Sequence, residues 1–187
     1  NSLALRLAGI TKSTPNPDGG LIVRDPETGE PTGILKDSAQ ALVSRLIPAA
    51  TPQEEDEALR AAMKEAARFG VTSVQDITSW SAFEAFRRAQ AQGRLTVRIT
   101  ARTPLSAWEK QADWIRKHGS GDDWLRLGGF KAFMDGSLGS TTAYFFEPYR
   151  DDPNKTSGLL GSEAIPESKM LERMLAADKG GLQLSIH

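Results

Sequence analysis

The feature that most constrains this fold is a fourfold alternation between amphipathic segments and short apolar runs. Each apolar run follows a segment of helical periodicity that ends at or near a glycine. The predicted helices span residues 51–70, 81–92, 106–117 and 166–179, and the predicted strands span residues 71–77, 95–101, 125–134 and 182–187. Such alternation is typical of βα units, so we predict a parallel sheet flanked by helices.

Two architectures fit four parallel strands in this length of chain. A doubly wound open sheet would be complete at 187 residues, whereas a (β/α)8 barrel takes about 250 residues, so this chain would hold about half of one. We predict the half barrel, because the sequence stops directly after an apolar strand and no G-x-G-x-x-G turn follows a strand. A small open-sheet binding domain is the alternative.

The segments before this alternation predict an insertion in the barrel. A short helix at residues 2–10 places Leu3, Leu7 and Ile10 on one face, and a loop rich in proline and glycine follows it. Residues 21–36 form two short apolar runs around a turn, which predicts a β-hairpin, and residues 39–47 form a helix. We interpret residues 1–187 as one partial barrel domain with an inserted hairpin.

Composition excludes several classes of protein. The formal net charge is −1, and the basic residues alternate with acidic ones, so no general nucleic-acid affinity is expected. The sequence contains no cysteine, which excludes disulfides and thiolate metal sites. No apolar run approaches the roughly 18 residues of a membrane span, and no leader is recognised. We expect no membrane contact, favour a cytoplasmic location, and leave oligomerisation open.

Charged groups at the carboxyl ends of the predicted strands form the candidate site. These groups are Asp76, Arg102, Lys131, Asp135 and His187. In parallel α/β folds, functional side chains collect at this end of the sheet. Lys131 requires the most explanation, because a charged lysine inside a buried strand costs several kcal/mol unless it is paired. A lysine at a sheet edge, with its ammonium in water, is the simpler alternative.

Several pieces of the sequence, taken in order, resemble family 3 of the metal-dependent amidohydrolases, the branch that includes N-substituted formamide deformylase. The pieces are NSLALRLAGI, GGLIVRDPETGEPTGILKDSA, FGVTSVQD, FKAFMDGSLGSTTA and LQLSIH. The resemblance implies a (β/α)8 barrel with a divalent metal, zinc in the usual case, held at the strand ends. It also implies that Lys131 corresponds to the carboxylated lysine of strand four and His187 to the histidine of strand five.

The resemblance further implies hydrolysis of an amide-like C–N bond in a small molecule by metal-activated water. No H-x-H pair occurs, and the sequence holds two histidines, so the metal site is incomplete here. We therefore expect a fragment of an enzyme that is inactive by itself. A non-catalytic structural or regulatory module is the alternative.

The remaining candidates would contact substrate. Asp135 and Ser137 begin a loop rich in glycine that either lines the substrate site or simply closes the strand in a tight turn. Phe145 and Phe146 lie in the long loop at residues 136–161, which could act as a lid, or they could pack onto neighbouring helices.

Asp76 and Arg102 could also contact substrate, although each has a plainer alternative. Asp76 could instead cap the next helix, and Arg102 could instead pair with a neighbouring acid. His118 ends a helix, where a cation is favoured by the helix dipole, and we assign it no catalytic part.

Overall fold

A computed structural model of the chain describes residues 1–151, 157–158 and 167–187. The described residues form two compact units. The hairpin unit consists of Asn1–Pro48 and Phe133–Glu167, and the sheet unit consists of Ala49–Ala132 and Ser168–His187.

The hairpin unit contains the predicted β-hairpin between two short helices. Its elements are α1 (Ser2–Leu7), β1 (Gly20–Arg24), β2 (Pro31–Asp37) and α2 (Ala41–Ser44), with β1 and β2 antiparallel. Ile22 and Ala39 are buried together with Ile10. The predicted face of α1 is wrong in part, because Leu3 and Leu7 are exposed. Leu5 and Ala8 pack against the buried cluster instead.

The sheet unit contains four parallel strands alternating with helices. In chain order its elements are α3 (Pro52–Arg68), β3 (Ser73–Ile77), α4 (Trp80–Ala91), β4 (Arg98–Pro104), α5 (Trp108–His118), β5 (Leu125–Ala132), α6 (Glu167–Lys179) and β6 (Leu184–Ile186). The strands lie side by side in the order β3-β4-β5-β6. A doubly wound sheet reverses its strand order at a switch point, and the four strands that the structure describes show no reversal. The curled parallel sheet corresponds to half of a (β/α)8 barrel and confirms that prediction.

The start of α3 forms as its sequence predicts. The Thr51 hydroxyl accepts the Glu54 N–H, and the Glu54 carboxylate accepts the Thr51 N–H at 2.7 Å, which completes a capping box. Gly70 follows the helix with φ +69°, a conformation that favours glycine. Residues close in the sequence therefore define both the start and the end of α3.

The hydrophobic core lies between one face of the sheet and the helices, and this face is the outer face. Met63 of α3 and Phe83 of α4 pack there against Ile99 and Leu127 of the strands. Phe69, just after α3, is exposed and lies under the guanidinium of Arg68. The ring remains outside the core because it follows the last turn of the helix.

The bounds of all four strands differ from the predicted ones by one to three residues, and two of these differences, in β4 and β5, show why. Strand β4 begins at Arg98, after the buried residues Leu95 and Val97, because an apolar run does not distinguish a buried approach from the strand itself. Strand β5 ends at Ala132, and Phe133, which the apolar run had included in the strand, is exposed. Among the described helices, none has both the length and the apolar character that a bilayer span requires.

Candidate functional site at the carboxyl ends of β4, β5 and β6

Strand β5 contains a β-bulge at Gly128. Leu127 pairs with Ala101 of β4, whereas the next residue of β4, Arg102, pairs with Gly129. Gly128 of β5 therefore has no counterpart in the register of β4. A bulge of this kind redirects the side chains that follow it. The alternation of faces along β5 consequently changes phase halfway along the strand.

This change of phase determines where Lys131 points. Leu125 and Leu127 are buried before the bulge, and Phe130 and Ala132 are buried after it. Lys131 lies between the latter two, so its side chain points away from the core. We call this opposite side of the sheet the inner face. Without the bulge, Lys131 would continue the phase of Leu125 and Leu127 and would point into the helices.

The bulge depends on Gly129. Its φ is +138°, which side chains rarely permit, and a Cβ at this position would lie 2.3 Å from the carbonyl oxygen of Gln183. The backbone just before β6 thus approaches Gly129 too closely for any other residue. Gly129 also faces Arg102 in the register of the sheet, so the absence of a side chain leaves space over β5 on the inner face.

The amine of Lys131 is partly shielded from water. Its Nζ donates a hydrogen bond to the Ala132 carbonyl at 2.7 Å. Burial lowers the pKa of Lys131, because removal from water disfavours the charged form. A lowered pKa increases the fraction of neutral amine, which is the form that can act as a nucleophile or ligand.

His187 lies beside Lys131 at the end of the neighbouring strand. Lys131 pairs with Ser185 of β6, two residues before His187. The His187 N–H donates to the Ala132 carbonyl at 2.9 Å, so the ladder continues to that residue. Because residues two apart in a strand share a face, His187 and Ser185 belong to the inner face. The sheet therefore brings together the two predicted ligands, Lys131 and His187.

Arg102 is held on the inner face by neutral acceptors from two other strands. Its guanidinium donates to Gln75 Oε1 of β3 at 2.8 Å and 3.1 Å. It also donates to Ser185 Oγ at 2.9 Å and to Gln183 Oε1 at 3.1 Å. Within the described ranges, no carboxylate is within salt-bridge distance of Arg102. The alternative that Arg102 pairs with a neighbouring acid therefore does not hold in this part of the chain.

The amide and hydroxyl partners of Arg102 were missed by sequence reasoning. A signal was present in the last strand, where Gln183, Ser185 and His187 alternate with apolar residues. This period of two predicts one polar face. Gln75 alternates in the same way between Val74 and Asp76 in β3, although the pattern there is shorter.

Asp76 lies on a different face from Arg102. In the register, Asp76 pairs with the buried Ala101, and Ile77 pairs with Arg102. The alternation of β3 therefore groups Asp76 with Val74, which packs against the core. The structure does not bring Asp76 to the inner face, and its role in substrate binding stays a prediction.

In the hairpin unit, the loop after Phe133 forms a compact turn. The Ser137 N–H donates to Thr142 Oγ1 at 3.0 Å, and the Ser137 carbonyl accepts the Thr142 N–H at 3.0 Å. A Cβ on Gly136 would lie 2.0 Å from Thr142 Oγ1, so this glycine is needed for the close approach. Asp135 accepts the Tyr144 N–H at 2.9 Å. These groups satisfy one another, and contact between substrate and Asp135 or Ser137 stays a prediction.

The aromatic residues of the long loop are largely exposed. Phe146 is fully exposed, and Phe145 is 47% exposed and makes an edge contact with Tyr149 at 5.2 Å between ring centroids. Burial, together with the negative charge of Asp135, raises the pKa of Tyr149. The remainder of the predicted lid, residues 152–156 and 159–161, lies outside the described residues.

His118 occupies the last turn of α5, as predicted. Arg116 and Lys117 accompany it there, and its ring lies 4.8 Å from that of Trp114. A basic group at this end of a helix is favoured by the helix dipole.

The side chains of Lys131 and His187 have donor atoms that suit part of a metal centre. Imidazole nitrogen suits zinc and similar divalent ions, and a neutral or carboxylated lysine adds a nitrogen or oxygen donor. Across residues 1–151, 157–158 and 167–187, no group of three or more His, Cys, Asp or Glu side chains could hold a metal ion. Lys131 and His187 could therefore supply two ligands, and further ligands would have to come from elsewhere.

Comparisons with known proteins agree with this geometry. The amidohydrolase family matches residues 1–187. The chain is 40% identical over 199 residues to Protein LONG AFTER FAR-RED 3 of Arabidopsis thaliana, covering 100% of this chain and 33% of that protein. It is 34% identical over 194 residues to the putative amidohydrolase YtcJ of Bacillus subtilis (strain 168), covering 100% of this chain and 35% of that protein. The chain thus spans about a third of the length of these curated relatives.

Two solved structures are also similar. Both are uncharacterized metal-dependent hydrolases, one from Pyrococcus horikoshii OT3 with a TM-score of 0.68 and one from Pyrococcus furiosus with a TM-score of 0.67. Each is 26% identical to this chain, of which 100% is covered, and the match covers 36% and 37% of those chains.

Proposed function

Because the chain belongs to the amidohydrolase family, we propose that it is part of a metal-dependent hydrolase that cleaves amide-like C–N bonds with water. The activity is that of the full-length protein, since this chain spans about a third of its relatives. N-substituted amides of small molecules are the proposed substrates, in keeping with the resemblance to the formamide deformylase branch.

The position of Lys131 is the observation that supports this proposal. The bulge turns its side chain to the inner face, beside His187 at the end of the next strand. In the proposed enzyme, Lys131 and His187 hold a divalent metal, zinc by preference. When bound, that ion supplies Lewis-acid polarisation of the substrate carbonyl and activation of a water molecule.

The lowered pKa of Lys131 supports its modification by carbon dioxide. In its neutral form the amine attacks the carbon atom of carbon dioxide, an N–C bond forms as one C=O π pair moves onto oxygen, and one proton passes from the nitrogen to solvent water. The product is an anionic carbamate with two oxygens. An anion of this kind can bind a metal ion, which an ammonium group cannot, and the bound cation would offset the cost of its charge in a partly buried strand.

Residues other than these two ligands are proposed to orient the substrate. Arg102 is a fixed cation on the inner face, suited to a polar or negatively charged group of the substrate. The exposed rings of Phe145 and Phe146 are suited to contact an apolar or aromatic N-acyl group. Asp135 and Ser137 begin the same loop and are proposed to contact the substrate as well.

Replacement of Lys131 in the full-length protein tests the proposal. Lys131→Ala should abolish amide hydrolysis and lower the bound metal measured by mass spectrometry. Formate, acetate or propionate should restore part of the activity, because a short acid can occupy the vacated space and supply two oxygens. Lys117→Ala serves as the control, since Lys117 lies on the surface of α5, where its contact is Asp113 at 2.6 Å.

Full activity of Lys131→Ala without added acid would refute the proposal. A full-length wild-type protein that holds no metal and hydrolyses no amide would instead favour a non-catalytic module.

A further inference from the structure

A buried polar pair lies behind the bulge, on the outer face of the sheet. Thr103 of β4 and Gln111 of α5 are both 0% exposed. The Thr103 hydroxyl donates to Gln111 Oε1, and Gln111 Nε2 donates to the Gly129 carbonyl at 3.4 Å. Both polar atoms of the Gln111 amide are thus hydrogen-bonded, the oxygen to Thr103 of β4 and the nitrogen to Gly129 of the bulge.

Such a pair is unusual at the interface between a helix and a sheet. Gln111 is the buried residue of α5, at a position where a leucine would pack without any polar atom to satisfy. Burial of an amide costs free energy unless its hydrogen bonds are formed, and a fully satisfied polar network specifies one geometry. The geometry specified here is that of the bulge, since the third member of the network is the carbonyl of Gly129.

We propose that Gln111 and Thr103 are positioning residues that fix the bulge in β5 and thereby hold Lys131 on the inner face. This inference rests on the proposed function, in which Lys131 is a metal ligand. Without the network, β5 is free to pair with β4 without its additional residue. Lys131 would then share the phase of Leu127 and point into the helices, where it can reach neither metal nor carbon dioxide.

Two substitutions of Thr103 in the full-length protein separate positioning from packing. Thr103→Val keeps the shape of the side chain and removes the hydroxyl, whereas Thr103→Ser keeps the hydroxyl and removes a methyl group. Gln111→Leu removes the whole amide. If Gln111→Leu does not fold, the two Thr103 variants decide the question.

The first readout is the carbon-13 NMR signal of the lysine carbamate after equilibration with labelled carbon dioxide. We expect Thr103→Val to lower this signal about threefold or more and to lower kcat about 10–100-fold with KM within about twofold, the size expected when support for a metal ligand is lost. Thr103→Ser should retain the signal and the kcat of the wild type. Met63→Ala, a core substitution in α3, should lower stability and leave the carbamate signal unchanged.

Equal carbamate signal and kcat in Thr103→Val and the wild type would overturn the inference. Failure of Thr103→Val to fold would also overturn it, because the hydroxyl would then serve folding and not positioning.

A second readout keeps the inference separate from the proposed function. If the wild-type protein shows no carbamate signal and no metal, the proposed function fails. Amide hydrogen exchange at Gly129, Phe130 and Lys131 then decides the positioning role. Faster exchange in Thr103→Val than in Thr103→Ser supports a network that fixes the bulge, and equal exchange rejects it.

Discussion

Replacement of Gly129 by alanine should destabilise the protein more than replacement of any glycine that merely ends a helix. The added Cβ would lie 2.3 Å from the carbonyl oxygen and 3.0 Å from the carbonyl carbon of Gln183. Both atoms belong to the backbone before β6, so no side chain can rotate away. Either β6 moves, or the bulge is lost.

Two costs add at this position. A residue other than glycine at φ +138° is strained, by about 1–3 kcal/mol. Forcing an extra carbon into closely packed atoms costs about 1–3 kcal/mol more. The sum is about 2–6 kcal/mol, and at about 2–4 °C per kcal/mol for a domain of 150–250 residues the melting temperature should fall by roughly 4–24 °C, and by less in a longer cooperative unit.

Calorimetry of the full-length protein measures this effect, with Gly93→Ala as the matched control. Gly93 follows α4 with φ +63°, and its Cβ would meet nothing within 4 Å. The control therefore measures the cost of a positive φ alone, about 1–2 kcal/mol. If Gly129→Ala lowers the melting temperature no further than Gly93→Ala does, the close approach of β6 to the bulge is not a constraint and the reasoning fails.

Three further predictions concern the lid, the start of α3 and the isolated chain. Replacing both Phe145 and Phe146 by alanine in the full-length enzyme should raise KM for bulky aromatic amides far more than for small ones; lower stability with unchanged selectivity would contradict a binding role. Hydrogen bonds from the Thr51 N–H and, to a lesser extent, from its hydroxyl lower the pKa of Glu54. The ionised Glu54 carboxylate therefore stabilises the fold above the unfolded pKa of about 4.3, and this stabilisation is lost as pH falls through the folded pKa. The difference in urea stability between wild type and Glu54→Gln should therefore shrink from pH 7 to pH 3, and an equal difference at both values would reject the capping box as its source. This 187-residue chain assayed alone should bind zinc weakly and hydrolyse no amide, because it offers two candidate ligands where a catalytic zinc takes three; tight zinc binding in a chelator competition would show otherwise.

Elements defined by local chemistry were predictable from the sequence. Thr51, Pro52 and Glu54 specify the start of α3 through contacts within four residues of one another. The alternation of helix and strand specified a parallel sheet for the same reason, since each βα unit is a local pattern. The two strand-end residues Lys131 and His187 followed from that alternation together with the resemblance to a family.

The features that sequence reasoning missed depend on pairing between strands. Phe130, Lys131 and Ala132 look like one continuous apolar strand interrupted by a lysine, whichever face the lysine takes. The bulge that decides the face is a property of the register between β4 and β5, and its signal within β5 is the glycine pair Gly128-Gly129, since glycine inside a strand pattern suggests a bulge. The pairing of Gln111 with Thr103 is equally nonlocal in character, because it joins a helix to a strand.

Arg102 has a mechanical consequence for the sheet. From its position on β4 it bonds to β3 on one side and, across the side-chain gap at Gly129, to β6 on the other. In a flat sheet those two strands would be about 14 Å apart, given a spacing of about 4.8 Å between neighbours. The guanidinium reaches both strands from the concave face of the curled sheet, where side chains of different strands converge. The Arg102 side chain therefore links β3 to β6 across the concave face, and flattening the sheet would break its hydrogen bonds to both strands.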